Sequence, residues 1–345
     1  MTPKLTLRDP ADIAAAVPYL LGFHPSDSVV MIGLRDGLAA MVQRWDLAED
    51  SDGLAAAMAQ TAQPSRPQSV LLVGFGPAYL VRPVLRRLCA ILPMPVKAAV
   101  RVADGRCFCE LCDACTPPGG IPFDPTTSRV AAEATVAGLA ALPNRDAVAD
   151  LVAPLGGPDA QAMTAAVARA DTRLRELLDA ARVPSDPAGG QALRAQGILA
   201  VDDAFVAARA GRRLDDDQIA WLTLLLHSLP VRDHAWQGTD HDDWQLDLWR
   251  EVTRRAEPSL VAPSATLLGF AAWRDGNGPL AAVALERALL CDPDYSLAQL
   301  IWQAMFSGVP GTALGGWPDL DAPDGSRQKR RSVPNRRTSG ARRSG

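Results

Sequence analysis

The hydrophobic pattern changes near residue 126, and that change limits the fold more than any single motif does. Upstream, short apolar runs alternate with helical segments. Ser28 to Leu34 reads as an apolar strand, Arg35-Asp36-Gly37 as a hairpin turn with Asp-Gly at its tip, and Leu38 to Trp45 as the returning strand. Val70-Leu71-Leu72-Val73 is a continuous apolar run of the kind that fills a buried central strand. Val96 to Val102 is a further strand, and Asp104-Gly105 opens a second hairpin. Between these lie helical stretches at about 53–62 and 78–92. An earlier one starts with Asp9 as N-cap and Pro10 at the first helical position, and stops at Gly22. Strand pairs alternating with helices make an α/β layer.

From Thr126 on, strand signals vanish and apolar residues recur at helical spacing. Helices are expected over 128–142, 146–151, 159–181, 190–210, 215–228, 242–256, 264–274, 279–291 and 297–306. Pro184 to Gly190 is the best internal linker. The expected fold is therefore α/β (or α+β), an N-terminal sheet layer followed by an all-α C-terminal helical region. The expected domains are 1–125 with a cysteine loop, 126–318 as the helical region, and 319–345 as a disordered basic tail. Seven of the eight tryptophans follow residue 220, which places aromatic anchors in the helical part. Leu268, Gly269, Gly276, Ala281, Ala288 and Pro293 fall at the spacings of one tetratricopeptide-type repeat, over 262–295. One repeat makes no solenoid, because stacked neighbours supply the core, so this reads as a helical hairpin.

Charge is unevenly spread. Residues 326–345 hold eight arginines and lysines and no acid, which leaves 27 basic residues against 39 acidic ones in the rest. An acidic body is a poor general surface for nucleic acid, so such binding is expected only through the tail. The first residues lack an apolar signal core, and no apolar stretch is long enough for a bilayer. The expected location is cytoplasmic, with no membrane partner.

Four of the six cysteines, Cys107, Cys109, Cys112 and Cys115, lie within nine residues. Such a group can hold one metal ion, form local disulfides, or sense redox state. Zinc, the expected metal, takes four tetrahedral ligands at about 2.3 Å from sulfur, and Cys112-x-x-Cys115 is a good half-site. Reducing surroundings favour metal or free thiols over structural disulfides.

Candidate catalytic residues gather at Gly22-Phe23-His24-Pro25-Ser26-Asp27-Ser28. His24, Asp27 and Ser28 have the residue types of a nucleophile, its base and an orienting carboxylate, or of a turn that caps itself. Arg44 and Asp46, at the end of the paired strand, are placed to face them. Gly74-Phe75-Gly76-Pro77 opens a helix and is either an anion cradle or a tight turn. Asp233, His234, Asp240, His241, Asp242 and Asp243 offer metal-ligand types at a spacing that fits no helical ligand pair.

Several segments together carry a resemblance. Pro18 to Val30, Val231-Arg232-Asp233, Leu248-Trp249, Ala272 to Ala281 and Asp292 to Ala298 resemble a large actinobacterial family known only as a domain of unknown function, over roughly residues 5–312. The family also resembles this chain in a cysteine-bearing loop before a Pro-x-x-Gly-x-Pro turn, here Pro117 to Pro122. Many members have paired cysteines where this chain has Cys115-Thr116. The resemblance implies no established activity, so it assigns no catalytic residue. The reading that follows is an uncharacterised intracellular protein that binds a partner or small ligand without catalysis and carries a thiol-rich loop. A hydrolase site at His24, Asp27, Ser28 and Asp46, and nucleic-acid association through the tail, are the alternatives.

Overall fold

The Asp9 carboxylate accepts the Asp12 amide at 2.8 Å and starts helix α1 (Pro10–Leu21), which Gly22 ends at φ 75°. The hairpin is strands β1 (Ser28–Arg35) and β2 (Leu38–Asp46), with Asp36 and Gly37 both at positive φ. Asp50 caps helix α2 (Ser51–Ala62), which therefore begins before the expected Gly53. Strand β3 (Ser69–Phe75), helix α3 (Ala78–Ile91) and strand β4 (Val96–Ala103) form a parallel crossover unit. β5 (Arg106–Cys109) and the two-residue β6 (Ile121–Pro122) complete the sheet. The computed structural model describes residues 7–112, 114–181 and 189–311. All of these belong to one compact unit. The linker expected at Pro184 to Gly190 falls largely outside the described residues, as does the tail.

The sheet order is β2-β1-β3-β4-β5-β6, antiparallel except between β3 and β4. Every residue of β3 is buried. Alternate side chains therefore feed two cores, because strand residues point to opposite faces in turn. Val29, Met31, Val70, Leu72 and Ala99 pack with α2 and α3. Val30, Ile32, Leu71, Val73, Phe75, Val100 and Cys107 join α1 and the helical region in one continuous cluster.

The helical region runs α4 (Arg129–Val136), α5 (Arg145–Asp150), α6 (Gly157–Ala181), α7 (Gly190–Arg209), α8 (Asp216–Leu225), α9 (Leu229–Gly238), α10 (Asp243–Arg255), α11 (Val261–Asp275), α12 (Gly278–Cys291) and α13 (Ser296–Phe306). Two expectations need correcting. The helix expected over 128–142 stops at Val136, because Gly138 takes φ 76° and Leu142 turns away to pair with Phe23. A helix also stands at α9, where none was expected. Pro230 starts it, and only Val231 and Ala235 of its residues are buried, so its apolar stripe is thin.

The 262–295 hairpin is α11 and α12. Leu268, Ala281 and Ala288 are fully shielded or nearly so. Gly276 ends α11 at φ 84°. A Cβ on Gly269 would lie 2.7 Å from Leu285 Cγ and 3.3 Å from the Ala281 carbonyl. Small residues here set how closely the two helices approach, and α13 then packs on both.

Gly269→Ala separates local propensity from packing. Alanine at an exposed helical site gains about 1 kcal/mol over glycine. Overpacking costs about 1–3 kcal/mol. The expected result is net destabilisation of up to about 2 kcal/mol in urea titration; a stabilised variant would refute the close approach.

Candidate functional site

The Gly22 to Ser28 turn is held by its backbone. The His24 amide donates to the Leu142 carbonyl at 2.9 Å, and the Leu142 amide donates to the Gly22 carbonyl at 2.7 Å. Asp27 sits at φ 40°, and its carbonyl accepts the Leu47 amide at 2.9 Å. Ser28 is 0% exposed, and its hydroxyl has no described partner. A nucleophile so enclosed cannot meet a substrate. His24 lines a small cavity of about 210 Å³ with Pro18, Pro25, Phe75, Val102 and Phe123. Arg44 and Asp46 line a different one. Among the described residues no hydrogen bond joins the side chains of His24, Asp27 and Ser28.

The second cavity runs along edge strand β2 and has a volume of about 280 Å³. One wall is Phe23 with Val42 to Asp46. The facing wall is Gly278, Pro279, Ala282 and Glu286 of α12 with Trp302, Met305 and Phe306 of α13, and Arg145 of α5 completes it. Trp302 and Phe306, one helical turn apart, stack with centroids 4.4 Å apart, and Trp45 meets Phe306 edge-on at 6.3 Å. Arg44 lies 5.7 Å from the Phe23 ring centroid and pairs with Asp46 at 2.6 Å. The Arg44 side chain is 15% exposed and that of Asp46 is 77% exposed. The cation is thus the enclosed partner, and its Nε is buried without a described acceptor. Arg145 pairs with Glu286. The N-terminal end of α12, capped by Asn277, also borders the cleft and adds a positive dipole end.

The cysteine loop hangs from the far side of the sheet. Cys107 is 0% exposed within the core, and burial, then the charges of Asp9 and Cys109, push its thiol up to about 12 against the pull of Arg101. Cys109, Cys112 and Cys115 come together, with their sulfurs within 4.8 Å of one another. Cys112 and Cys115 are joined in a disulfide. So three of the four expected thiols gather, and Cys107 stays apart although it is only two residues from Cys109. The loop is anchored at its base. Glu110 binds Arg101 at 2.8 Å and Arg82 at 2.9 Å. The Arg101 guanidinium lies 3.8 Å from the Phe108 ring centroid. The Thr116 hydroxyl accepts the Cys109 amide at 3.1 Å. Gly120, at φ 73°, lets the Phe108 ring approach to 2.7 Å of where a Cβ would stand.

The remaining sequence candidates resolve into structure. His234 pairs with Asp202 at 2.8 Å, and His241 pairs with Asp240 at 2.5 Å. Among the described residues the cysteines alone form a group able to hold a metal. Gly74 lets α3 pack close, since a Cβ would meet Val81 Cγ1 at 2.2 Å, and Gly76 turns at φ 140°. That is the tight-turn role. The aromatic pair Trp302 and Phe306 and the ion pair Arg145–Glu286 escaped the sequence reading. Only the four-residue spacing of the two rings hinted at a shared face.

The family described as Domain of unknown function (DUF4192) matches residues 10–311, and the chain belongs to it. No curated protein matches, and no solved structure does. Among the described residues no helix is long and apolar enough to cross a membrane.

Cys107 should resist iodoacetamide in the native chain and react only once denatured, whereas exposed Cys291 labels freely. Peptide mass spectrometry reads both; native labelling of Cys107 at the rate of Cys291 would refute its burial. The unfolded thiol releases its proton near 9.0 and the folded one at about 12, so stability declines as pH rises across that window. Cys107→Ala should flatten that decline.

Proposed function

We propose that this protein is a non-catalytic binding protein, and that its ligand is a small amphipathic anion held in the cleft between β2 and the α12–α13 pair. The observation that carries the reading is the cleft's lining. Four aromatic rings, of Phe23, Trp45, Trp302 and Phe306, share it with two arginines and a helix N-terminus. Ligand sites are mostly apolar, with a few placed polar groups that fix orientation. The rings suit an apolar or aromatic body. Arg44 and Arg145 suit a carboxylate, sulfonate or phosphate, which competes with Asp46 and Glu286 for the guanidinium groups. A hydrolase reading finds less support, because Ser28 is enclosed and His24 faces elsewhere. Cytoplasmic residence and an actinobacterial source belong to this reading on sequence grounds alone.

A second reading concerns the thiol loop, favoured by the gathered sulfurs. When reduced, Cys109, Cys112 and Cys115 supply three soft ligands of the kind zinc takes. Elemental analysis of reduced protein should then find zinc near one equivalent; less than about a tenth of an equivalent would exclude it.

The cleft is tested with 8-anilinonaphthalene-1-sulfonate, an aromatic sulfonate. It should bind saturably and take energy from the tryptophans. Arg44→Gln should weaken it about tenfold, or ~1.4 kcal/mol. The uncharged N-phenyl-1-naphthylamine should bind both forms alike. Equal sulfonate affinity in both forms would overturn the reading.

A further inference from the structure

The thiol loop contains more than a metal-ligand set. Cys112 and Cys115 form a disulfide, and the Cys109 sulfur stands 3.9 Å from that of Cys112. Cys112 therefore has a sulfur neighbour three residues away on each side. The existing bond spans a sequence separation of only 3. Closing so short a loop removes little entropy from the unfolded chain, which makes it a weak staple. The fold does not need it either, since the Glu110, Thr116 and Gly120 contacts already fix the loop's base.

We infer that the loop is an intramolecular thiol–disulfide exchange site in which Cys112 is the shared sulfur and the bond passes between Cys115 and Cys109. The Cys109 thiol gives its proton to solvent, and the thiolate attacks Cys112 Sγ. The Cys109–Cys112 bond forms as the Cys112–Cys115 bond breaks. Cys115 leaves as a thiolate and takes a proton from water. No net oxidation occurs, so no co-reactant enters. The consequence is a change in which thiol is free. Cys109 is half-buried, whereas Cys115 is exposed, so exchange turns a sheltered thiol into an accessible one. Cys107 takes no part, because it is locked in the core. The inference does not depend on the cleft, and neither reading fails with the other.

The full chain, freed of metal with a chelator, is reduced, oxidised with one equivalent of diamide, equilibrated and quenched in acid. Free thiols are then capped with N-ethylmaleimide and located by peptide mass spectrometry. Cys112 should be wholly disulfide-bonded, with the free thiol divided between Cys109 and Cys115 in populations within about tenfold of each other. A free thiol confined to one of the two, or a disulfide that leaves Cys112 free, would overturn the inference. Cys115→Ser gives a second reading: the same treatment should yield the Cys109–Cys112 bond, and persistence of both thiols would count against exchange.

Discussion

A sheet with two apolar faces must be covered twice, and the rest of this molecule follows from that requirement. β3 is buried along its whole length, and β1 is buried over its first six residues. The chain supplies one cover locally: α2 and α3 lie between strands and pack on the face of Met31 and Leu72. The other cover comes from α1 together with the helices that follow residue 126, through the cluster containing Val30, Val73 and Val100. The helical region is thus the second wall of the sheet. This placement also brings α12 and α13 beside β2, which creates the cleft.

The fold was readable where local chemistry decides the backbone. Asp9-Pro10, Asp36-Gly37, the Val70 run and Gly276 each carry a cap, a turn or a burial pattern that acts over a few residues, and each element appears where that chemistry places it. α4 ended early because Leu142 prefers a bridge to Phe23, a partner 119 positions away that no window around Leu142 reveals. α9 was missed because its apolar stripe is thin.

The candidate site was readable in half. Arg44 and Asp46 were marked for their position beside the turn, and they do pair, but toward a different cavity from His24. Arg44 still touches the turn, donating to the Ser26 carbonyl at 3.4 Å and lying over the Phe23 ring, while His24 lines the cavity on another side. Partners of the sheet edge were contributed by α5, α12 and α13, and spacing along the chain says nothing about which helix will arrive there. The cysteines show the same limit in miniature. Cys107 and Cys109 are close in sequence, yet one is a core side chain and the other joins the loop sulfurs, because Cys107 lies within β5 whereas Cys109 is its last residue, where the loop begins.

Both ends of the sheet carry features that limit its growth. β6 is only two residues long and ends in Pro122, which has no amide to offer a further strand. At the other end β2 bears charged Arg44 and Asp46 and is flanked by Trp302 and Phe306. The helices that wall the cleft cover the Val42 to Asp46 half of β2, so they also shield that half of the edge from a further strand.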